Sequence, residues 1–337
     1  MSKKIILRAD GNRQTGLGHL YRLIGLAECL KGAFSFCFLT RASSAVNTIP
    51  QHYETIIIPE SISVNCEPSW LKKIFSAMDS IVITDGYQFD FSYQQSIKAN
   101  GFQLVYIDDF ASRAILADII INHSPNVKKE DFEGSTYDKL ALGTKYSLLR
   151  PTFLAQAGRK RTFTQIDVAF VCFGGSDFLD LTFKAVSGLL KIPAFKHIHV
   201  VLGNAYIHKK IYQTKKEHPS RISVHQNLSE QSLVDIMLCS NFAVAPASTI
   251  LFELCCVGIP IFSGFYIDNQ NLIYDGFLSS KAISGGGNFG TFDSQAFYHQ
   301  ISKVLKEEDF ESQLRSQRLM FDAFIAHRHI NLIKKIC

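Results

Sequence analysis

Between Arg8 and Arg22 the chain reads Arg8-x-Asp10-x5-Gly16-Leu17-Gly18-His19-Leu20-Tyr21-Arg22, joining a short apolar run to a helix-periodic one. Gly16 and Gly18 allow a tight backbone path and the close approach of a ligand, with helix amides available to an anion. The third glycine of the dinucleotide fingerprint is absent, His19 and Arg22 stand in that part of the helix, and no P-loop lysine follows. His19 falls in the first helical turn, where the positive end of the dipole disfavours imidazolium. A neutral imidazole there suits accepting a proton from water; a cap or a satisfied core histidine is the alternative. Arg8 and Asp10 fit both a ligand-facing pair and a structural ion pair.

Two later clusters point to a nucleotide. Phe173-Gly174-Gly175-Ser176-Asp177 follows an apolar run directly. Glycine amides and a serine hydroxyl leading into a helix make a phosphate cradle, although a plain strand-to-helix turn has the same look. In Pro246-Ala247-Ser248-Thr249-Ile250-Leu251-Phe252-Glu253, Ser248 or Thr249 can cap a helix and also contact phosphate. Glu253 lies one turn beyond Thr249 on the same face, within reach of a ribose diol; a cap and a solvated acid is the competing reading. Gly258-Ile259-Pro260 and Asn269-Gln270 follow, the latter pair adding amides near the same edge. Together these residues describe a nucleoside diphosphate site of amides, hydroxyls and one carboxylate. No two aspartates are separated by a single residue, and aspartates and histidines are scattered, so the chemistry is expected to need no metal and no cofactor.

These groups need elements to position them. Runs at 5–7, 34–39, 55–58, 81–84, 103–107 and 119–121 are rich in β-branched and aromatic residues and lack clean alternation, as strands of a parallel sheet covered on both faces do. Helical patterns at 20–30, 70–78 and 91–100 lie between them. The scheme restarts with strands at 167–172, 197–201, 222–224, 242–245 and 259–262 and helices at 179–190, 231–239 and 249–257. Such alternation predicts doubly wound α/β sheets. The 337-residue length suits two domains. The stretch 150–165, with Pro151 and the basic Arg159-Lys160-Arg161, breaks the rhythm and is the linker candidate. The expected division is 1–150 and 151–337, the carboxyl ends of both sheets facing one cleft, with the helical segment 307–336 a candidate to fold back over the first domain.

Composition removes several classes of function. Apolar residues are 47% and charged residues 19%, which excludes disorder. A net charge of +5 argues against an extended nucleic-acid footprint but leaves room for a local anion site. The longest apolar run, 254–262, is far short of a membrane span, and Met1-Ser2-Lys3-Lys4 runs straight into a strand-like segment, so neither membrane insertion nor a cleavable leader is expected. The eight cysteines form no Cys-x-x-Cys pair and mostly sit in apolar segments, as buried free thiols of a cytoplasmic protein do. A monomer is expected.

The Arg8-x-Asp10-x5-Gly16-x-Gly18-His19-x-x-Arg22 motif resembles the UDP-sugar hydrolases of pseudaminic acid biosynthesis, relatives of the spore-coat polysaccharide protein SpsG. The likeness continues in order through Asp85-Gly86-Tyr87, Asp108-Asp109, Asn122, Gly143 with Tyr146 and Arg150, Gly174-Gly175-Ser176-Asp177, Ser248-Thr249, Glu253, Gly258-x-Pro260 and Asn269-Gln270. Its later part is shared with two-Rossmann (GT-B) glycosyltransferases, including MurG-like enzymes. The resemblance implies a GT-B-like fold, a UDP-sugar as ligand, and hydrolysis of UDP-2,4-diacetamido-2,4,6-trideoxy-β-L-altropyranose by water attack at the anomeric carbon with inversion. It implies His19 as the catalytic histidine, Tyr87 as its assistant, and Asp109 and Arg150 among the substrate contacts. A glycosyltransferase with a sugar acceptor, or a UDP-sugar binding protein, uses the same nucleotide residues. Two departures stand out. Asp322-Ala323-Phe324-Ile325-Ala326-His327-Arg328 lacks both glycines of the family's Asp-Gly-x-Gly-x-x-Arg, and Gly285-Gly286-Gly287 reads as a mobile loop.

Overall fold

The computed structural model describes residues 3–12, 16–111 and 114–337; Met1 and Ser2 of the opening segment lie outside them. The chain divides into two compact units, Met1–Pro151 with Phe324–Cys337, and Thr152–Ala323.

In the first unit β1 (Lys4–Ala9), α1 (Gly18–Leu30), β2 (Phe36–Arg41), β3 (Thr55–Ile58), α2 (Glu67–Ile74), β4 (Ser80–Asp85), α3 (Phe91–Ala99), β5 (Gln103–Ile107), β6 (Ile119–Asn122) and β7 (Lys139–Leu142) follow in order. The strands form a parallel sheet of order β3-β2-β1-β4-β5-β6-β7. Ile5, Leu7, Ile81, Ile83 and Val105 pack against Leu20, Leu23 and Ala27 of α1, so both sheet and helix bury their apolar sides in one core. The strand order reverses between β1 and β4, the position where open α/β sheets bind ligands.

The short α4 (Pro151–Leu154) leads to the second unit: β8 (Val168–Val171), α5 (Leu181–Leu190), β9 (His197–Leu202), α6 (Lys210–Glu217), β10 (Ile222–Gln226), α7 (Glu230–Leu238), β11 (Phe242–Pro246), α8 (Thr249–Val257), β12 (Ile261–Phe265), α9 (Asn271–Ser279), β13 (Ser284–Asn288), α10 (Ser294–Glu307) and α11 (Phe310–Met320). Its parallel sheet has the order β10-β9-β8-β11-β12-β13, with the reversal between β8 and β11. Its core is aromatic, with Phe173, Phe195, Phe242, Phe262, Phe289 and Phe297 all buried.

The structure departs from the sequence reading in several places, among them the helices α6, α9 and α10, which it adds. The helix expected at 70–78 starts earlier, at Glu67, because Pro68 is accommodated in a first helical turn. The edge strand β7 escapes notice because it is short and opens on an exposed lysine. The segment 307–336 is two helices, α11 and then α12 (Ile325–Lys334). The latter belongs to the first unit, where Leu332, Ile333 and Ile336 join the core and His329 Nε2–H donates to Ser147 O at 3.2 Å. Finally, Gly285–Gly287 is no mobile loop: it lies in β13, paired with β12. A Cβ at Gly286 would come within 2.3 Å of Phe289 and 2.7 Å of Phe262, so close packing against rings accounts for that glycine.

All eight cysteines are free, and no helix of the described residues is long and apolar enough to cross a membrane. His123 and His329, both buried in the first unit, are pushed down to about 4 by burial, the Arg22 charge adding to the effect at His123. Unfolded, both return toward 6.5, so below that pH the unfolded chain binds protons that the folded chain refuses. Stability is therefore expected to fall as pH drops from 6.5 toward 4, with a slope of up to ~1.4 kcal/mol per pH unit for each histidine. Urea titrations across this window should show a shallower slope for His329→Gln; an unchanged slope rejects the assignment.

Candidate functional site

At the reversal point of the first sheet, α1 delivers His19 and Arg22 from one helical face, since residues three apart are neighbours. β4 ends on Asp85, which is fully buried. His19 Nδ1 lies 2.7 Å from Asp85 Oδ1, while Arg22 Nε donates to Asp85 Oδ2 at 2.8 Å and Arg22 Nη2 to Oδ1 at 2.5 Å. The same guanidinium holds Asp109 through Nη1, and through Nη2 at 3.0 Å. Arg22 Nη2 also lies 2.8 Å from His19 Nδ1. Donating to Nδ1 would need that nitrogen unprotonated, whereas the acceptor-only Asp85 carboxylate needs Nδ1–H; the shorter contact, to Asp85, takes Nδ1–H, and Nε2 is then the acceptor nitrogen. Burial opposes the charge on Asp109, but Arg22 outweighs it and holds that carboxyl well below its ordinary range. Two carboxylates, Asp85 and Asp109, thus share the one guanidinium beside the imidazole.

Tyr87 stands edge-on to His19, ring centroids 4.8 Å apart, and on its other side contacts Phe110 at 5.0 Å. Its ring is 46% exposed, so it is accessible to a ligand at His19. Gly86, at φ +153°, makes the turn before it; a Cβ there would sit 2.5 Å from Gln88 Oε1. That glutamine folds back to donate Nε2–H to Asp10 Oδ2 at 3.3 Å.

Beneath this cluster lies a second network. Arg8 is wholly buried and forms a two-point pair with Glu67, Nε to Oε1 at 2.6 Å and Nη2 to Oε2 at 3.1 Å. Its Nη1 is 2.8 Å from Asp10 Oδ2 without the alignment of a hydrogen bond. Arg8 and Asp10 thus stand as an ion pair, with the Asp10 side chain 23% exposed. Arg8 meets no solvent, and Asp10 Oδ1 accepts from Thr40 Oγ1 and the Arg41 amide, both at 2.9 Å, tying β1 to β2. Gly16 sits at φ +84° just before α1, Gly18 is the first residue of that helix, and Arg150 lies over the Tyr21 ring at 5.2 Å.

In the second unit the carboxyl ends of the adjacent strands β8, β11 and β12 bring the later motifs to one sheet edge. Gly175 and Ser176 are exposed there and Gly174 turns at φ +81°. The expected run from this loop straight into a helix is corrected: α5 starts only at Leu181, and the buried Asp177 accepts from the amides of Leu181 and Thr182, each at 2.8 Å. The Asp177 carboxylate thus occupies the helix end, and Gly175 and Ser176 are among the residues the loop exposes. Ser248 precedes α8 without a side-chain cap bond, and Thr249 opens the helix. Glu253, one turn on, is buried to 6% exposure. Gln270 is buried with its Oε1 accepting from the Tyr266 amide at 3.0 Å, whereas Asn269 is exposed. Cys172 at the same edge is a poor nucleophile, burial and the Glu253 charge pushing its thiol up to about 12. Among the described residues no group of three His, Cys, Asp or Glu side chains is placed to hold a metal ion.

Solved structures align with the chain over nearly their whole length: MurG of Acinetobacter baumannii at TM-score 0.69, 99% of each chain and 11% identity, and the S. aureus MnaA–UDP co-structure at 0.67, 99% and 96% of the chains and 12% identity. The fold is of the GT-B type. In sequence, this GT-B chain is 23% identical over 305 residues to the spore coat polysaccharide biosynthesis protein SpsG of Bacillus subtilis, covering 88% of the chain and 87% of the relative. It is 25% identical over 272 residues to the UDP-2,4-diacetamido-2,4,6-trideoxy-beta-L-altropyranose hydrolase of Campylobacter jejuni, covering 79% and 93%. No family model matches. The resemblance seen in the motifs and the expected fold class both hold.

Two residues of this GT-B chain's site escaped the sequence reading as functional groups. Asp85 was visible only as the first residue of Asp85-Gly86-Tyr87, and its signal was its place at the end of an apolar strand run. Glu67 gave no signal, since an acid beside a proline looks like an ordinary helix start.

Proposed function

We propose that the chain hydrolyses a UDP-linked diacetamido-trideoxyhexose without a metal, releasing UDP and the free sugar, with the first unit supplying the base and the second holding the nucleotide. The observation that carries this reading is the His19–Asp85 pair. A carboxylate fixed on Nδ1 orients the ring and leaves Nε2 to take a proton from a water attacking the anomeric carbon. UDP is a good leaving group, so stabilising its charge matters more than protonating it; the amides of Gly174 and Gly175 with the Ser176, Ser248 and Thr249 hydroxyls are assigned to that role. Glu253 is assigned to the ribose. Arg22 and Asp109 hold the base, Tyr87 flanks the sugar, and Asp10 and Arg8 brace the loop beneath. Similarity to the Campylobacter hydrolase along 79% of the chain supports the substrate class.

The test is UDP release from a panel of UDP-sugars, with and without sugar acceptors and with EDTA. Release from the diacetamido-trideoxy sugar in water alone is expected; strict dependence on an acceptor makes the protein a glycosyltransferase instead. In the same preparation Glu253→Ala is expected to weaken UDP binding by about 1.5–3 kcal/mol, the worth of one hydrogen bond to a charged group. Unchanged affinity by calorimetry removes the ribose assignment.

A further inference from the structure

A cavity of about 310 Å³ lies in the first unit at the carboxyl ends of β4 and β5. One of its walls is the ring of Tyr87, which touches His19, so the cavity and the base are separated by a single aromatic ring. We propose that this cavity receives a methyl-bearing substituent of the sugar, an acetamido group or a C6 methyl, and that Tyr87, Phe91 and Phe110 set the preference for it. The proposal rests on the UDP-sugar reading above and names the part of the sugar that the site selects.

The chemistry of the walls carries it. Phe91, Ile107, Phe110 and Ile115 join Tyr87 in the lining. Among the lining carboxylates and amide, Gln94 and Asp109 are engaged at both ends, and Asp108 and Asp90 each through one oxygen. Gln94 accepts from the Leu116 amide at 2.8 Å and donates to Phe89 O at 2.9 Å. Asp108 Oδ2 accepts from the Ala111 amide and from Asn122 Nδ2, both at 2.8 Å. Both oxygens of Asp109 are held by Arg22, and Asp90 caps α3 through the Tyr93 amide at 2.9 Å. A hydroxymethyl group entering here gives up its water partners among walls that are mostly apolar and polar groups that are mostly engaged, whereas a methyl group gains by leaving water. Phe91 and Tyr87, each 46% exposed, place apolar surface that a bound substituent would cover.

The experiment measures binding without turnover. Saturation-transfer NMR, with UDP present, is run on three free sugars: an N-acetylhexosamine, a 6-deoxyhexose, and the 2,4-diacetamido-2,4,6-trideoxyhexose. Ala114→Trp, at an exposed lining position, fills the cavity; Phe91→Ala removes a wall and serves if the first variant does not melt cooperatively. Strong transfer to a methyl resonance is expected in the unsubstituted protein, the acetyl or C6 signal telling which substituent enters. Affinity should fall about fourfold per methyl excluded in the variants, equivalent to ~0.8 kcal/mol per buried carbon, with UDP affinity unchanged. Equal transfer in variant and parent, or no sugar binding in the parent, overturns the proposal. Hydrolysis that fails while the methyl signal is present and lost in Ala114→Trp leaves the pocket standing and removes the hydrolase reading. Intact hydrolysis with a signal indifferent to both variants does the reverse.

Discussion

His19→Ala is expected to lower the rate of UDP release by about 10²–10⁴-fold, the usual worth of a positioned general base, while UDP binds as before. The prediction follows from what the imidazole touches. Its Nδ1 is fixed on a fully buried carboxylate, and that carboxylate is fixed in turn by Arg22, so the ring has one defined orientation. Asp85→Asn keeps the shape but replaces an acceptor-only partner with an amide that can present N–H to Nδ1. The other tautomer then becomes accessible and Nε2 no longer accepts a proton. A smaller drop in kcat than for His19→Ala, with KM held, is expected. Steady-state kinetics on folded variants decides: full turnover by His19→Ala removes the base, and a change confined to KM for Asp85→Asn makes that residue a substrate contact rather than a positioning group.

Glu67→Ala is expected to cost about 3–5 kcal/mol of stability, as breaking a buried ion pair from one side does. Arg8 loses both oxygens it holds, and Arg41 Nη2, 3.2 Å from Oε2, loses one. The Tyr93 hydroxyl, which donates to Oε1 at 2.8 Å, is left without its acceptor. Burial, with the Glu67 charge, pushes that phenol well above its ordinary range, so it stays a donor throughout. Asp10 stays beside Arg8 through Oδ2, 2.8 Å from Nη1, but with Oδ1 engaged with β2 it cannot replace the two-point pair. Urea titration of the variant measures the loss; a change below about 1 kcal/mol would falsify the view that this pair holds the loop beneath His19. Glu67→Gln, which keeps the volume, separates charge from packing.

Much of this site was readable in the residues. Gly16-x-Gly18-His19-x-x-Arg22 put a histidine and an arginine on one face of a helix, because helical periodicity is local. The assignment of Gly174, Gly175, Ser176, Ser248 and Thr249 to one sheet edge needed only the rule that parallel strands share their carboxyl ends. Less was readable where a side chain's role depends on what crosses over it. Gly285–Gly287 looked like a loop since glycines lack strand propensity, yet Tyr274 and Leu278 crowd Gly285, Phe262 and Phe289 crowd Gly286, and Gly287 turns at φ +71°. The helix start at Leu181 depended on Asp177 adopting φ +43° and turning its carboxylate onto the helix amides, which no spacing announces.

The sequence by itself determined the alternation of buried strands and helices, the division into two α/β halves, the glycine-flanked histidine and the hydroxyl-rich nucleotide loops. All of these follow from short-range periodicity and residue type. Tertiary structure alone decided the partners. Asp85 stands 66 positions from His19 and Glu67 stands 59 from Arg8, and each pair meets because strand order sets β4 beside β1 and brings α2 against the buried arginine. Pattern specifies which side of an element is buried; only the crossovers between strands specify which charges are buried together.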